Sequence, residues 1–316
     1  MTMTALDVVT FGEAMAMFVA TAPGDLAGVE TFTRRMAGAE TNVAVGLSRL
    51  GLRVGWVSRL GDDSFARFVR NTLAREGVDC GAVATDPRHP TGFQLKSRAV
   101  GGEDPRVEYF RKGSAASFLS LADWNPDYVL SARHLHATGV AAALSATSYE
   151  LAAHMIGEMR RAGRTVSFDP NLRPVLWPSR EAMVERLNAL AVEANWVLPG
   201  LAEGRVLTGR DRPEDIAAFY IDRGVELVVI KLGAEGAYWR TADASGSVAA
   251  VRVDTVVDTV GAGDGFAAGV ISALIEGESI PQAVMRGNRV GAYAIQVIGD
   301  MDGLPTRSQL GLSLAA

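Results

Sequence analysis

One cysteine, Cys80, stands in 316 residues, so an internal disulfide is excluded. A lone thiol fits a reducing compartment, which makes a cytoplasmic location the expectation, and Cys80 itself reads as a small apolar filler. No run is long and apolar enough to span a bilayer, and no charged segment precedes an apolar stretch at the start; neither membrane insertion nor export is expected. There is no basic block either. Lys and Arg number 31 against 36 Asp and Glu, a net charge of −5, so a nucleic-acid or anionic-membrane partner has no support. Only 4 histidines occur, and two of them, His134 and His136, share one face of a strand without a third ligand nearby. Packed histidines are expected there rather than a metal site. Internal repeats and low-complexity segments are absent.

What is there is an alternation of short β-branched runs with helical periodicities. Leu6 to Glu13 reads as a first strand ending in a glycine turn, and Met15 to Val19 as a second. Gly38 to Gly51 reads as a glycine loop feeding a helix, and Arg53 to Leu60 as a strand followed by a helix capped by Asp62 or Asp63. Residues 80–90 look turn-rich. Between Thr91 and Arg111 the pattern is a hairpin interrupted by Gly101 to Pro105. Strands at His134 to Gly139, Thr165 to Asp169, Asn195 to Leu198 and Glu226 to Lys231 alternate with helices at Thr147 to Arg161, Arg180 to Glu193 and Pro213 to Arg223. A last helix runs from Gln282 to Val297, and residues 311–316 read as a frayed tail. Such alternation predicts an α/β protein with a mostly parallel sheet flanked by helices.

The stretch that organises the chain is Asp258-Thr259-Val260-Gly261-Ala262-Gly263-Asp264-Gly265-Phe266. A strand is expected before it, over residues 251–257, and helical spacing follows in Phe266, Val270, Ile271 and Leu274. A small-residue loop opening a helix leaves free backbone N–H groups and the positive end of a dipole around a narrow space, which is an anion site. Asp264 then has two readings. It is a helix N-cap beside a tight turn, or it is a base that takes a proton from a hydroxyl attacking a phosphate bound by the loop.

Asp-Thr-x-Gly-Ala-Gly-Asp resembles the C-terminal signature of the PfkB, or ribokinase-like, sugar kinases, and Gly38 to Gly51 resembles their N-terminal one. The resemblance implies a single three-layer αβα domain over residues 1–316, with a small β lid from about 13–36 and 90–112. It also implies an ATP-dependent sugar kinase that uses Mg²⁺. Asp264 would be the general base, with an ordinary carboxylate pKa near about 4, and Gly261, Ala262 and Gly263 the anion hole. The Gly38 backbone and Asn42 would face the sugar. Lys231, Gly233 and Gly236 would border the nucleotide together with Gly261 and Gly263. Asn171 would lie near the phosphates and Mg²⁺, with Glu203 helping indirectly.

Within the family, Tyr109-Phe-Arg111-Lys-Gly-Ser-Ala, Asp169-Pro-Asn171-Leu-Arg173 and Gly299-Asp300-x-x-Gly303 resemble the keto-deoxygluconate kinases. In them Tyr109, Arg111, Arg173 and Asp300 would contact the sugar acid, the two arginines offering charged forks for a carboxylate. The implied acceptor is 2-dehydro-3-deoxy-D-gluconate; fructose, ribose or an isomer of the sugar acid are the alternatives. Two positions depart from the pattern: Gly200 replaces an Asn that helps organise Mg²⁺ and phosphate, and Gln94 stands where a substrate-facing Tyr is expected. An exposed lid sheet implies a homo-oligomer. A nicotinamide-dependent oxidoreductase, suggested loosely by Gly263 to Ala268, and a non-catalytic sugar sensor are readings from other classes. The first needs that loop after the first strand rather than near the end.

Overall fold

Successive residues of a strand point to opposite faces, and the first strand, β1 (Val8–Phe11), divides the molecule accordingly. Val9 and Phe11 enter one apolar core, while Val8 enters another on the far side of the sheet. The computed structural model describes residues 5–98 and 105–313. After β1 come β2 (Met15–Ala20), β3 (Phe32–Ala37), the helix α1 (Ala39–Arg49), β4 (Val54–Gly61), α2 (Ser64–Arg75) and β5 (Asp79–Asp86). Then follow β6 (Phe93–Lys96), β7 (Val107–Phe110), the short α3 (Pro126–Val129), β8 (His134–Thr138), α4 (Gly139–Ala143), α5 (Ala146–Arg161) and β9 (Thr165–Asp169). The remainder is α6 (Arg180–Ala191), β10 (Trp196–Val197), α7 (Leu201–Thr208), α8 (Pro213–Ile221), β11 (Leu227–Lys231), β12 (Ala237–Arg240), β13 (Ser245–Val248), α9 (Ala262–Ile275) and α10 (Ile280–Ala294).

Among the described residues a 9-stranded sheet runs in the order β13-β12-β11-β10-β9-β8-β1-β4-β5. It is parallel from β5 to β11 and antiparallel only where β12 and β13 join. The two cores belong to its two faces. Leu151, Met155, Leu187 and Ile216, from α5, α6 and α8, pack one; Val43, Leu47, Val69, Phe266, Ile271 and Val284, from α1, α2, α9 and α10, pack the other. Helix, sheet and helix make the three layers that the resemblance implies.

A 4-stranded sheet, β3-β2-β6-β7, lies apart from the large one. Its strands pair antiparallel except β2 with β6, which are parallel. The hairpin of β6 and β7 is the one expected from the alternation after Thr91; its tip lies outside the described residues. Phe93 stacks on Phe110 at 4.6 Å, and Phe18 meets Phe65 of α2 at 5.6 Å, so aromatic contacts anchor this sheet to the main body.

Three local expectations fail. Residues 251–257 form no strand, although β-branched: Val251, Val256 and Val257 are exposed, so no pleated surface supports them. Residues 80–90 are not simply turns, because β5 occupies 79–86 as an edge strand and Cys80 packs half-buried against the core. Leu312 also packs against the core, and Gly311 and Leu312 are hydrogen-bonded to Ser308 and Arg307; the fraying expected from 311 onward does not describe them. Residues 314–316 lie outside the described residues.

Candidate active site

The carboxyl ends of β1, β8, β9 and β11 reach one edge of the large sheet, the edge where open parallel sheets hold ligands. The small sheet stands over that edge, and a cleft of about 410 Å³ opens between them. Asp169 and Lys231 reach it from the ends of β9 and β11, Glu13 and Asn171 from the loops after β1 and β9, and Met15, Gln94, Lys96 and Tyr109 from the small sheet.

The organising loop closes the bottom of the cleft. Gly261 caps α9 in the left-handed region, φ 84°, and a Cβ there would lie 2.0 Å from the Asp300 carbonyl oxygen; only glycine fits this close passage. Gly261, Gly263 and Asp264 line the cleft in the first turn of α9, where a helix offers its own N–H groups no carbonyl. Ala262 directs its N–H back to Thr259 at 3.4 Å and is not a lining residue. Gly38 plays a similar steric part before α1: at φ 154° a Cβ would sit 2.5 Å from the Glu13 carbonyl.

Asp264 faces inward and is nearly fully buried. The Asn42 amide donates to its Oδ2 at 2.8 Å, and the Asn171 amide to its Oδ1 at 3.2 Å. One carboxylate oxygen is thus held from α1 and the other from the turn after β9. Asn171 adopts a positive φ of 39°, the one such non-glycine among the described residues, which turns its side chain to this contact. Burial raises the Asp264 pKa to about 7 and nearby Asp169 adds to it, against the Asn42 hydrogen bond and the Lys231 and Arg173 charges. The ordinary value expected from sequence is therefore corrected, because a carboxylate so desolvated holds its proton more firmly. Asn42 Oδ1 is buried without a hydrogen-bond partner and lines the same space, which suits a ligand hydroxyl.

Positive charge surrounds the loop. Lys231 Nζ bonds Asp169 Oδ2 at 2.6 Å and passes 3.5 Å from where a Gly263 Cβ would be. Although burial works against its charge, Asp169 and Glu203 hold the Lys231 proton above its ordinary range. Arg173 lines the cleft and donates to the Leu172 carbonyl. Arg111 also lines it, but its Nε donates to Glu13 Oε2 at 2.7 Å, so the fork arrives already paired. Tyr109 and Gln94 face each other across the β6–β7 hairpin at the cleft wall. Asp300 lines it too, bound by Lys96 at 2.9 Å; burial raises its pKa and Lys96 opposes.

The other expected nucleotide and metal residues fare differently. Gly233 and Gly236 lie in the turn between β11 and β12, off the cleft. Glu203 lines the cleft, but its oxygens accept from the Gly200 and Leu172 amides at 2.7 and 2.8 Å. With Gly200 in place of Asn, that carboxylate caps α7 and pins the turn after β9. His134 and His136 both bond Ser167 Oγ at 2.8 Å inside the large sheet, with burial pushing both pKa values down, so they are packed histidines as expected. Sequence reasoning missed Glu13, Asp169 and Lys96 as site residues. A charged residue closing a strand was the available signal for Asp169 and Lys96, and Glu13 follows the glycine turn after β1; the partners of Lys96 gave no signal, since they lie more than 160 positions away.

A nucleotide-sized cleft at the carboxyl edge, an anion loop at its base and a fixed, proton-avid carboxylate beside that loop define a phosphoryl-transfer enzyme acting on an alcohol. The chain belongs to the pfkB family of carbohydrate kinases, whose profile it matches over residues 5–307. It is 52% identical over 312 residues to the 2-dehydro-3-deoxygluconokinase of Bacillus subtilis (strain 168), covering 98% of this chain and 96% of that one. To the 2-dehydro-3-deoxygluconokinase of Thermoproteus tenax it is 33% identical, covering 95% and 92% of the two chains. The crystal structure of a PfkB protein from Polaromonas sp. JS666 superposes with a TM-score of 0.91 at 54% identity, covering 98% of this chain and 100% of that one. The oxidoreductase reading of Gly263 to Ala268 falls away, since these residues open α9, near the end of the chain, and do not follow the first strand.

Proposed function

We propose that this carbohydrate kinase transfers the γ-phosphate of ATP to a hydroxyl of 2-dehydro-3-deoxy-D-gluconate. The observation that carries the chemistry is Asp264, with both oxygens fixed by Asn42 and Asn171 at the mouth of the α9 N-terminus. Its carboxylate takes the proton of the acceptor hydroxyl, and the freed oxygen lone pair attacks the γ-phosphorus as the bond to the leaving phosphate opens. The N–H groups around Gly261 and Gly263 meet the charge on the moving group, and the ammonium of Lys231 adds to the field. The substrate assignment draws on the 52% identity to the Bacillus enzyme and on Arg173, whose guanidinium lines the cleft and suits a carboxylate.

A magnesium ion fits this site as a companion of the nucleotide. Among the described residues no cluster of three or more acidic, histidine or cysteine side chains forms a cage. Mg²⁺ commonly reaches kinase sites on substrate phosphates with one or two protein oxygens; Asn171, which lines the cleft, would approach it, and Glu203 would help only indirectly, its oxygens being held by the Gly200 and Leu172 amides. When bound it would neutralise phosphate charge. The small sheet, with exposed Tyr109 and Phe110 on β7, supports a homo-oligomer joined through that surface, and the lone free thiol of Cys80 supports a cytoplasmic enzyme.

The test is ADP release with the purified protein, ATP and Mg²⁺, comparing 2-dehydro-3-deoxy-D-gluconate with fructose and ribose. The sugar acid is expected to show the highest kcat/KM. A neutral sugar turned over equally well or better would overturn the substrate assignment.

A further inference from the structure

The small sheet reaches the anion loop through one buried cation. Lys96 ends β6 and is 1% exposed, yet it is a lysine. Its Nζ donates to Asp258 Oδ2 at 2.6 Å and to Asp300 Oδ1 at 2.9 Å. Asp258 stands three residues before Gly261, and its carboxylate also accepts from the Val260 and Gly299 amides at 3.1 and 3.3 Å. Asp300 lies behind the same turn, its carbonyl packed against Gly261. Asp258 therefore braces the Gly261 turn through its carboxylate and Asp300 through its backbone carbonyl, and a single ammonium holds the two side chains together.

Without that ammonium, two buried carboxylates would face each other with no positive partner between them, an arrangement that is strongly destabilising. One monovalent positive charge between two carboxylates is something a free K⁺ or NH₄⁺ could supply. Here a side chain supplies it, and that side chain belongs to the small sheet rather than to the loop. Burial works against the Lys96 charge, but Asp300 and Asp258 hold its proton above the ordinary range.

We propose that Lys96 is a positioning residue that serves as a tethered monovalent cation, giving the Gly261 loop its anion-binding shape only while the small sheet is seated. The inference rests on the kinase reading above. Two of the ammonium's three N–H bonds go to Asp258 and Asp300, and it is through them that it acts on the loop.

The test is Lys96→Met, measured beside the wild type in K⁺, NH₄⁺ and tetramethylammonium chloride at equal ionic strength. Wild-type kcat is expected to be the same in all three. The variant is expected to lose about tenfold or more of kcat in tetramethylammonium, with KM for ATP little changed, and to recover in K⁺ or NH₄⁺. A folded variant with undiminished kcat, or with a loss indifferent to K⁺ and NH₄⁺, overturns the proposal. If the single variant does not fold, Lys96→Met/Asp258→Asn carries one buried charge fewer and decides: a kcat about tenfold or more below wild type supports the brace, and a smaller loss overturns it. Thermal unfolding separates this inference from the kinase reading. K⁺ raising the Tm of Lys96→Met but not of the wild type supports the cation role whatever the activity, and equal responses refute it.

Discussion

At the scale of single residues, the environment of Asp264 sets both its chemistry and its pH dependence. Its pKa, raised to about 7, means that below neutrality the proposed base is protonated and cannot accept the acceptor's proton. The acid limb of kcat/KM against pH should therefore bend near pH 7, not near 4; a flat profile down to pH 5 would contradict the burial argument. The two arginines should also separate. Arg111 is paired with Glu13, whereas Arg173 donates to the Leu172 carbonyl, so Arg173→Ala should raise KM for the acidic sugar by about tenfold or more while changing that for a neutral sugar little. Arg111→Ala should impair both sugars, because it also leaves the buried Glu13 carboxylate without its cationic partner, with the Ser114 hydroxyl still donating to it. Steady-state kinetics on both sugars would check the contrast.

At the scale of elements, the turn into α9 depends on a close passage that one methyl group would block. Gly261→Ala would bring a Cβ to 2.0 Å from the Asp300 carbonyl at φ 84°, so the turn must shift. A loss of about two orders of magnitude in kcat with a lowered Tm is the expected result, the displaced amides no longer meeting the transferred group; unchanged kcat would mean that the loop does not bind it. This is also where sequence was most and least legible. Most helices and strands followed from periodicity and caps, as with Asp63, whose carboxylate does accept the Ala66 N–H at 2.8 Å. Residues 251–257 misled because β-branching favours a strand only where a neighbouring strand and a packed face exist. Asp264, Asn42, Asn171 and Arg173 were legible because each sits in a short local motif. The Asp264 pKa and the Lys96 bridge were not, since both arise from side chains that meet only after folding.

At the scale of the whole molecule, the proposed base, Asp264, is a compromise between stability and function. A carboxyl whose folded pKa exceeds its ordinary 3.8 stabilises the fold at low pH and loses that contribution as pH rises toward about 7. Above neutrality the ionised Asp264 is thus a burden on the ligand-free protein, tolerated because the cleft needs it. Asp264→Asn removes the buried charge while keeping the shape. The most direct measurement is therefore a paired one at pH 8, taking Tm, ATP binding and single-turnover phosphorylation for wild type and Asp264→Asn. A higher Tm, retained ATP binding and a phosphorylation rate lower by orders of magnitude are the expected results; a variant that phosphorylates the sugar acid at near wild-type rate would contradict the assignment of Asp264 as the base.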